Sequence, residues 1–164
     1  ARKVRSGDPG NVEAEAARRY WPLLFGAGFR RDRDADGLNS LLNYGYAVLR
    51  AGVARAVMAT GLHPGFGLKH SNRSNPMVLV DDLMEPFRPL VDREVHRLMT
   101  LGTTELVPGA KSALARIMVI DLPTALGMSP VMTCAERLAQ SLTRSFADKT
   151  GKLDLPLPTL PLER

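Results

Sequence analysis

The chain has 164 residues, 45% of them hydrophobic but only 5% aromatic, and its formal net charge is +5. That length suits one domain with an aliphatic core, and the single cysteine, Cys134, excludes an internal disulfide and a zinc cage made of cysteines. No apolar run reaches the ~18 residues that a membrane helix needs, so we expect a cytoplasmic protein without a membrane partner. The positive charge fits a polyanionic partner but does not establish one.

Helix signals dominate the chain. An Asp-Pro pair at residues 8–9 precedes the first predicted helix, and glycines follow the ends of the first two. Helices are predicted from about Asn11 to Phe25, Leu38 to Thr60, Asp82 to Met99, Ala110 to Asp121 and Pro130 to Asp148. Strand signals are weak, because β-branched and aromatic runs are short. We therefore expect an all-α, multi-helix domain over residues 1–150, followed by an extended proline-rich tail over residues 151–164.

The two glutamates of the first predicted helix have different neighbours. Glu15 lies four residues before Arg19, the spacing of a solvated ion pair. Glu13 instead shares a helical stripe with a set of apolar positions, Ala16, Ala17, Tyr20 and Leu24. If that stripe is buried, the carboxylate needs a partner, since isolated burial of a charge is expensive. The alternative is a partly exposed glutamate that the helix dipole favours.

The candidate functional residues are concentrated between residues 67 and 89. A glycine-rich loop carries His70 and Arg73 and leads through a short apolar run into the predicted helix. On that helix Asp82 and Glu85 are three residues apart, so both carboxylates share one face, and Arg88 lies three residues further along it. A histidine, two carboxylates and two arginines in this arrangement can hold a divalent cation with a phosphate beside it.

A plainer interpretation of the same segment stays open. Asp81 or Asp82 caps the helix, Glu85 pairs with Arg88, and His70 is an exposed loop residue. The later charges of this helix, from Asp92 to Arg97, are expected to form a solvated face, with His96 at the surface. His63 can approach the site from its loop, but no spacing requires it. The mixed-charge loop at residues 29–38 is expected to be solvated.

Three stretches together resemble a known family. They are Asn-x-Glu-Ala-x-Ala-Ala-Arg-x-Tyr-Trp at residues 11–21, Leu-Asn-Tyr-Gly-Tyr at residues 42–46, and Gly-Leu-x-His-x-x-Arg with Asp-Leu-Met-Glu-Pro-Phe-Arg-Pro-Leu-Val-Asp at residues 67–92. They are similar to segments of the universal CRISPR-associated integrase of spacer acquisition, most closely to its type II form. The similarity covers nearly the whole chain, but only as that family's C-terminal helical domain, so we expect its N-terminal β-domain to be absent.

The resemblance implies a catalytic metal site. Glu13, His70 and Glu85 take the places of the catalytic metal ligands, and Asp82 either orients His70 or a metal-bound water or acts as a fourth ligand. Two carboxylates with one imidazole suit Mg²⁺ or Mn²⁺, and the nitrogen favours Mn²⁺. Arg73 and Arg88, each three residues after a proposed ligand, are placed to contact DNA phosphates.

The family's activity and partners are likewise implied. A DNA 3′-hydroxyl attacks a phosphodiester at the CRISPR repeat and joins a new spacer, with hydrolysis as the alternative when water attacks. Family members act on spacer precursor and repeat DNA as homodimers, assembled with a small second adaptation protein, and type II forms also depend on the effector nuclease. The C-terminal domain alone is expected to integrate poorly. Two alternatives stay open: a non-catalytic DNA-binding or scaffolding domain, and a plain metal-dependent nuclease.

Overall fold

A computed structural model describes residues 12–69 and 74–157 of the protein, with residue 13 described by its backbone alone. The helices are α1 (Val12–Phe25), α2 (Leu38–Ala59), α3 (Val78–Met84), α4 (Arg88–Thr100), α5 (Pro108–Ala115) and α6 (Val131–Asp148). Short 3₁₀ turns cover Glu85–Phe87 and Arg116–Val119, and two strands, β1 (Asp121–Thr124) and β2 (Gly127–Pro130), pair antiparallel. The mostly helical fold that the sequence predicts is confirmed. Within these residues, no helix is both long and apolar enough to cross a membrane.

Helix α2 lies at the centre of the molecule. It packs against α3, α4, α5 and α6, and its fully buried stripe consists of Leu41, Leu42, Leu49, Val53 and Val57. Two glycines on this helix allow close packing: a Cβ at Gly45 would lie 2.5 Å from Cγ1 of Val91 on α4. The helix ends before Gly61, whose φ of 75° suits glycine. The predicted bounds of this helix are therefore confirmed to within a residue.

The helix predicted from Asp82 to Met99 is two helices with a turn between them. Helix α3 starts at Val78, so neither aspartate at positions 81–82 caps it, and the N-cap position is Met77. The apolar run at residues 78–80 is buried as the first turn of α3. Pro86 and Pro89 then prevent a continuous helix, because each lacks an N–H and its ring would meet the carbonyl four residues earlier. The expected capping role of Asp81 or Asp82 was wrong because α3 begins at Val78, so both aspartates lie inside the helix.

Helix α1 lies at the edge of the fold. Among its described side chains only Phe25 is buried, and Ala16, Ala17 and Tyr20 are exposed, so the predicted buried stripe was wrong. The helix is held instead near its C-terminal end, where the rings of Trp21, Phe25 and Phe29 contact one another. The Glu15–Arg19 ion pair is present, as its spacing predicted.

The small hairpin of β1 and β2 was not predicted. Its strands have four residues each, too few for an alternating pattern to be recognised, and Gly127 supplies a φ of 98° at the turn. The chain that follows α6 runs back over the fold, since the N–H of Asp154 donates to Oγ of Ser141 at 2.9 Å and that of Leu157 donates to the carbonyl of Pro123 at 2.9 Å. The division into a domain and a tail at residue 150 stays a prediction.

Candidate functional site

A cleft of about 800 Å³ lies between α1, α2 and the segment from α3 to α4. The described charged side chains on its wall are Arg31, Arg33, Arg50, Arg88, Asp81 and Glu85. The rings of Trp21 and Tyr46 also face it. Counted over the described residues, four guanidinium groups against two carboxylates make this a basic cleft, of a kind that attracts phosphate groups.

Glu85 and Arg88 form one wall of the cleft. Nη1 of Arg88 donates to Oε1 of Glu85 at 3.0 Å, and the guanidinium lies 5.0 Å from the centre of the Tyr46 ring. Nε of Arg88 is buried and has no hydrogen-bond partner among the described residues. The ring below and the carboxylate beside it therefore hold this cation in one place at the cleft wall. The sequence predicted both residues on one face, and their pairing is what the plainer interpretation expected.

Asp82 binds the segment that leads to position 70. Its Oδ2 accepts hydrogen bonds from the backbone N–H groups of Leu68 at 2.6 Å and Lys69 at 2.9 Å. The chain therefore reaches position 69 while in contact with α3, one turn before Glu85. Asp82 thus orients the backbone of the loop that carries the predicted histidine.

Asp81 binds the other end of the same segment. Its carboxylate accepts two bonds from Arg50, at 2.6 and 3.0 Å, and one from Nδ2 of Asn75 at 2.6 Å. Partial burial raises the pKa of Asp81, but these bonds and the charges of Arg50 and Arg88 outweigh it, so the pKa lies below its usual value. Adjacent aspartates therefore hold the two flanks of residues 70–73.

Asp92 was expected on a solvated face and is buried instead, with 5% of its surface exposed. Oδ2 accepts a hydrogen bond of 2.7 Å from the phenol of Tyr20 on α1, and Oδ1 accepts one from the phenol of Tyr46 on α2. Burial raises the pKa of Asp92 even though both phenols and the nearby Arg88 and Arg31 favour its ionised form. The available sequence signal was weak: Asp92 lies beside Val91 and three residues before Val95, on the inner stripe of α4.

Arg31 lies in the loop at residues 29–38, whose mixed charges predicted a solvated connection. It donates to Oδ1 of Asn39 at 3.0 Å and to Oδ1 of Asn43 at 2.6 Å, and its guanidinium lies 5.8 Å from the centre of the Tyr46 ring. Burial lowers the pKa of Arg31. Asn39 also accepts a bond from the N–H of Asp32 at 2.9 Å, so two asparagines of α2 fix this loop at the cleft.

The predicted site residues are only partly described. Asp82, Glu85 and Arg88 lie together along α3, its following turn and the start of α4. The side chain of Glu13, together with His70 and Arg73, lies outside the described residues, so the complete site stays a prediction. No group of three potential metal ligands occurs within the described part of the chain. His63 is exposed, and its Nδ1 accepts a bond from the N–H of Gly65 at 3.1 Å.

Comparison with known proteins gives consistent results. A family described as "CRISPR associated protein Cas1" matches residues 10–106. A CRISPR-associated endonuclease Cas1 of Neisseria meningitidis is 40% identical over 166 residues, covering 99% of this chain and 54% of that protein. A CRISPR-associated endonuclease Cas1 of Pyrobaculum aerophilum is 45% identical over 89 residues, covering 52% of this chain and 30% of that protein.

The structural comparison points the same way. A casposase bound to integration product superimposes with a TM-score of 0.80 at 25% sequence identity, over 99% of this chain and 54% of that one. The chain thus spans about half the length of the Neisseria relative and of the casposase.

Proposed function

The chain belongs to the family of the CRISPR associated protein Cas1, and we propose that it acts on DNA as an endonuclease and integrase of spacer acquisition. A DNA 3′-hydroxyl attacks a phosphodiester at the CRISPR repeat and joins the spacer by transesterification, and water in its place gives cleavage. The names of the relatives support the endonuclease activity, and the casposase bound to integration product supports the integrase activity. Full integration is a property of the assembled homodimer with a small second adaptation protein.

The observation that carries this proposal is the register of α1 along α4. Tyr20 of α1 binds Asp92 of α4 at 2.7 Å, and the ring of Phe25, further along α1, lies 6.4 Å from that of His96, further along α4. Both contacts advance in the same direction, so the two helices run parallel. Counting back seven residues from the first contact on each chain segment leads to positions 13 and 85. On α1 these seven residues make about two helical turns, and on the other segment they comprise the 3₁₀ turn Glu85–Phe87 and the first turn of α4, so the backbone register supports a site shared by the glutamates at positions 13 and 85.

The donor set fits a divalent cation. The side chain of Glu85 is 50% exposed and lines the cleft, and Asp82 holds the backbone of Lys69, the residue before His70, one turn away. We infer that Glu13, His70 and Glu85 hold Mg²⁺ or Mn²⁺, because two carboxylates and one imidazole match the ligand preferences of these ions. Such an ion, when bound, polarises the scissile phosphate and neutralises charge in the transition state.

The arginines of the cleft supply phosphate binding in this proposal. Arg88 is held beside Glu85 and above Tyr46, and Arg31 is held by two asparagines of α2, so neither guanidinium has to be ordered when DNA binds. Charge-assisted bonds from arginine to phosphate oxygens are strong and directional. We propose Arg73 as a third arginine that binds phosphate, because it lies three residues after His70 in the sequence.

The test compares two glutamates of one helix. In an assay of Mn²⁺-dependent nicking and strand transfer on labelled DNA, Glu13→Ala should lower the rate by about 100-fold or more, as the loss of a metal ligand does. Glu15→Ala is the matched control, since Glu15 is exposed and pairs with Arg19 on the same helix, and it should change the rate by less than about twofold.

Two outcomes would favour the alternatives. Equal activity of Glu13→Ala and the unchanged chain would overturn the catalytic assignment. Binding of DNA without any nicking or strand transfer, even in the assembled full-length protein, would favour the non-catalytic DNA-binding domain, for which the four arginines of the cleft suffice.

A further inference from the structure

Among the described side chains of helix α1, few contacts fix its position along its own axis. Phe25 is its only buried side chain among those described, and the ring contacts of Trp21, Phe25 and Phe29 involve flat apolar surfaces. Such surfaces tolerate small displacements, whereas a hydrogen bond weakens steeply when its angle or length changes. Among the described side chains of α1, Tyr20 makes a directional contact with α4, through its bond to Asp92.

The acceptor of that bond is itself held in place. Asp92 is 5% exposed, and its second oxygen accepts a bond from Tyr46 of the central helix α2. The carboxylate is therefore attached to the rigid middle of the fold, and only its bond to Tyr20 reaches the edge helix.

We propose that Tyr20 is a positioning residue, whose hydrogen bond to Asp92 sets the register of α1 on α4 and thereby places position 13 opposite position 85. The proposal rests on the proposed function, in which the glutamates at those positions share a metal ion. A slip of one residue would move α1 by about 1.5 Å and turn it by about 100°. Ligand bonds to Mg²⁺ are only about 2.0–2.1 Å long, so even a fraction of that slip would remove Glu13 from the metal.

The second phenol provides a matched control. Tyr46→Phe also removes one hydrogen bond from Asp92, but it leaves α1 attached and keeps the ring that lies 5.0 Å from the Arg88 guanidinium. A general effect on Asp92 or on stability would make the two phenylalanine variants alike. An effect through the register of α1 separates them.

The first experiment measures the Kd for Mn²⁺ alone, using electron paramagnetic resonance to quantify the free ion. The Tm of each variant is measured alongside. Tyr20→Phe should raise the Kd for Mn²⁺ by about 10-fold or more, a size that groups orienting metal ligands commonly show. Tyr46→Phe should raise it by less than about twofold, although Tyr46 is the more buried phenol and its loss should lower Tm at least as much. Equal Kd values for both variants would overturn the proposal.

The second measurement needs no metal. Nitroxide labels on Glu13→Cys and Glu85→Cys, in a Cys134→Ala background, report the separation of the two positions by dipolar broadening. The labels should give strong broadening with Tyr20 present and a weaker, more widely distributed interaction after Tyr20→Phe. An unchanged spectrum would overturn the register proposal. If the chain binds no Mn²⁺, or Glu13→Ala leaves binding intact, the proposed function fails while the nitroxide distances still decide the role of Tyr20.

Discussion

Among single residues, Asp81 and Asp92 show that the pKa of the same type of side chain shifts in opposite directions in different surroundings. Asp81 lies at the cleft wall, where Arg50 and Asn75 bind its ionised form and lower its pKa. Asp92 lies inside, where loss of water dominates and raises its pKa in spite of two phenol donors. The first stabilises the fold as an anion, and the second makes a structural connection between helices at a cost in solvation.

The two phenols on Asp92 predict a loss of stability in alkali. Burial first, and then the bond and charge of Asp92, raise the pKa of Tyr20 above its usual 10.0, and the same causes raise that of Tyr46. Above pH 10 the folded chain keeps protons that the unfolded chain releases, so the free energy of unfolding should fall as pH rises, by up to about 1.4 kcal/mol per pH unit for each proton.

Urea unfolding at a series of pH values from about 8 to 11.5 measures this slope. Tyr46→Phe and Tyr20→Phe should each make it shallower, since each removes one of the two retained protons, and the double variant should make it shallower still. Parallel curves for the unchanged chain and both variants would contradict the expectation.

The lowered pKa of Asp81 predicts that the free energy of unfolding falls in acid. A carboxyl with a lowered pKa contributes stability above its unfolded value of 3.8 and loses it as pH falls through the lower folded value. Asp81→Asn should cost about 1 kcal/mol at neutral pH, a discounted figure because both Arg50 and Asp81 are about one-third or more exposed. Below pH 3.8 the unfolding curves of variant and unchanged chain should converge. Asp148→Asn, at an exposed carboxylate, controls for loss of a surface charge.

At the scale of elements, α2 organises the fold because its neighbours approach it closely. A Cβ at Gly45 would meet Cγ1 of Val91 at 2.5 Å and Cδ2 of Leu114 at 3.2 Å, whereas one at Gly52 would meet the terminal methyl of Met118 at 2.2 Å. Val91 is buried and branched at Cβ, so it has no room to turn away. Met118 is partly exposed, and its flexible end is free to move.

These contacts predict that the same change, glycine to alanine, has different effects on stability at positions 45 and 52. Overpacking in Gly45→Ala should lower the free energy of unfolding by about 1–3 kcal/mol. The higher helix propensity of alanine should offset ~1 kcal/mol of that loss. Gly52→Ala should be neutral or slightly stabilising, because the helix gain then meets a smaller steric cost. Thermal or urea unfolding of the two variants measures the difference, and a larger loss for Gly52→Ala would contradict the packing argument.

At the scale of the whole molecule, the described wall of the cleft carries more positive than negative charge. Four arginines lie on its wall, and those at positions 31 and 88 are held by neighbours rather than extended into solvent. A surface of this kind binds the phosphate backbone without reading base sequence. DNA binding by this chain should therefore be largely independent of sequence and should weaken as salt rises.

The salt dependence of DNA binding shows which arginines contact phosphate. Arg33→Ala should weaken binding on all DNA sequences and lower the slope of log affinity against log salt by about 1, as the loss of one phosphate contact does. Arg144→Ala is the control: that arginine of α6 is exposed, pairs with Asp154 in the chain after the helix, and is not among the residues that line the cleft. A titration of labelled duplex at several salt concentrations measures both, and equal slopes for the two variants would exclude the cleft as the main DNA surface.

Several properties followed from the sequence alone. Helical periodicity located α2 and α6 to within a residue at each end, and Gly61 also marked the end of α2, since both signals are local to the chain. The motifs around Glu13, His70 and Glu85 indicated the family, which the comparisons confirm. The Glu15–Arg19 pair followed from its spacing within one helix.

Tertiary structure decided which faces are covered and which polar groups meet. Asp92 is buried where Tyr20 and Tyr46 pack against it and donate hydrogen bonds to it. These residues lie 72 and 46 positions away in the chain, so no local sequence pattern predicts the contact. Ala16, Ala17 and Tyr20 are exposed because α1 is covered only near its C-terminal end, although their periodicity suggested a buried stripe. The break at Pro86 was readable in the sequence, but the start of α3 depended on burial of residues 78–80 against α2. Burial is a property of several segments at once, and the free energy that selects it is absent until they pack together.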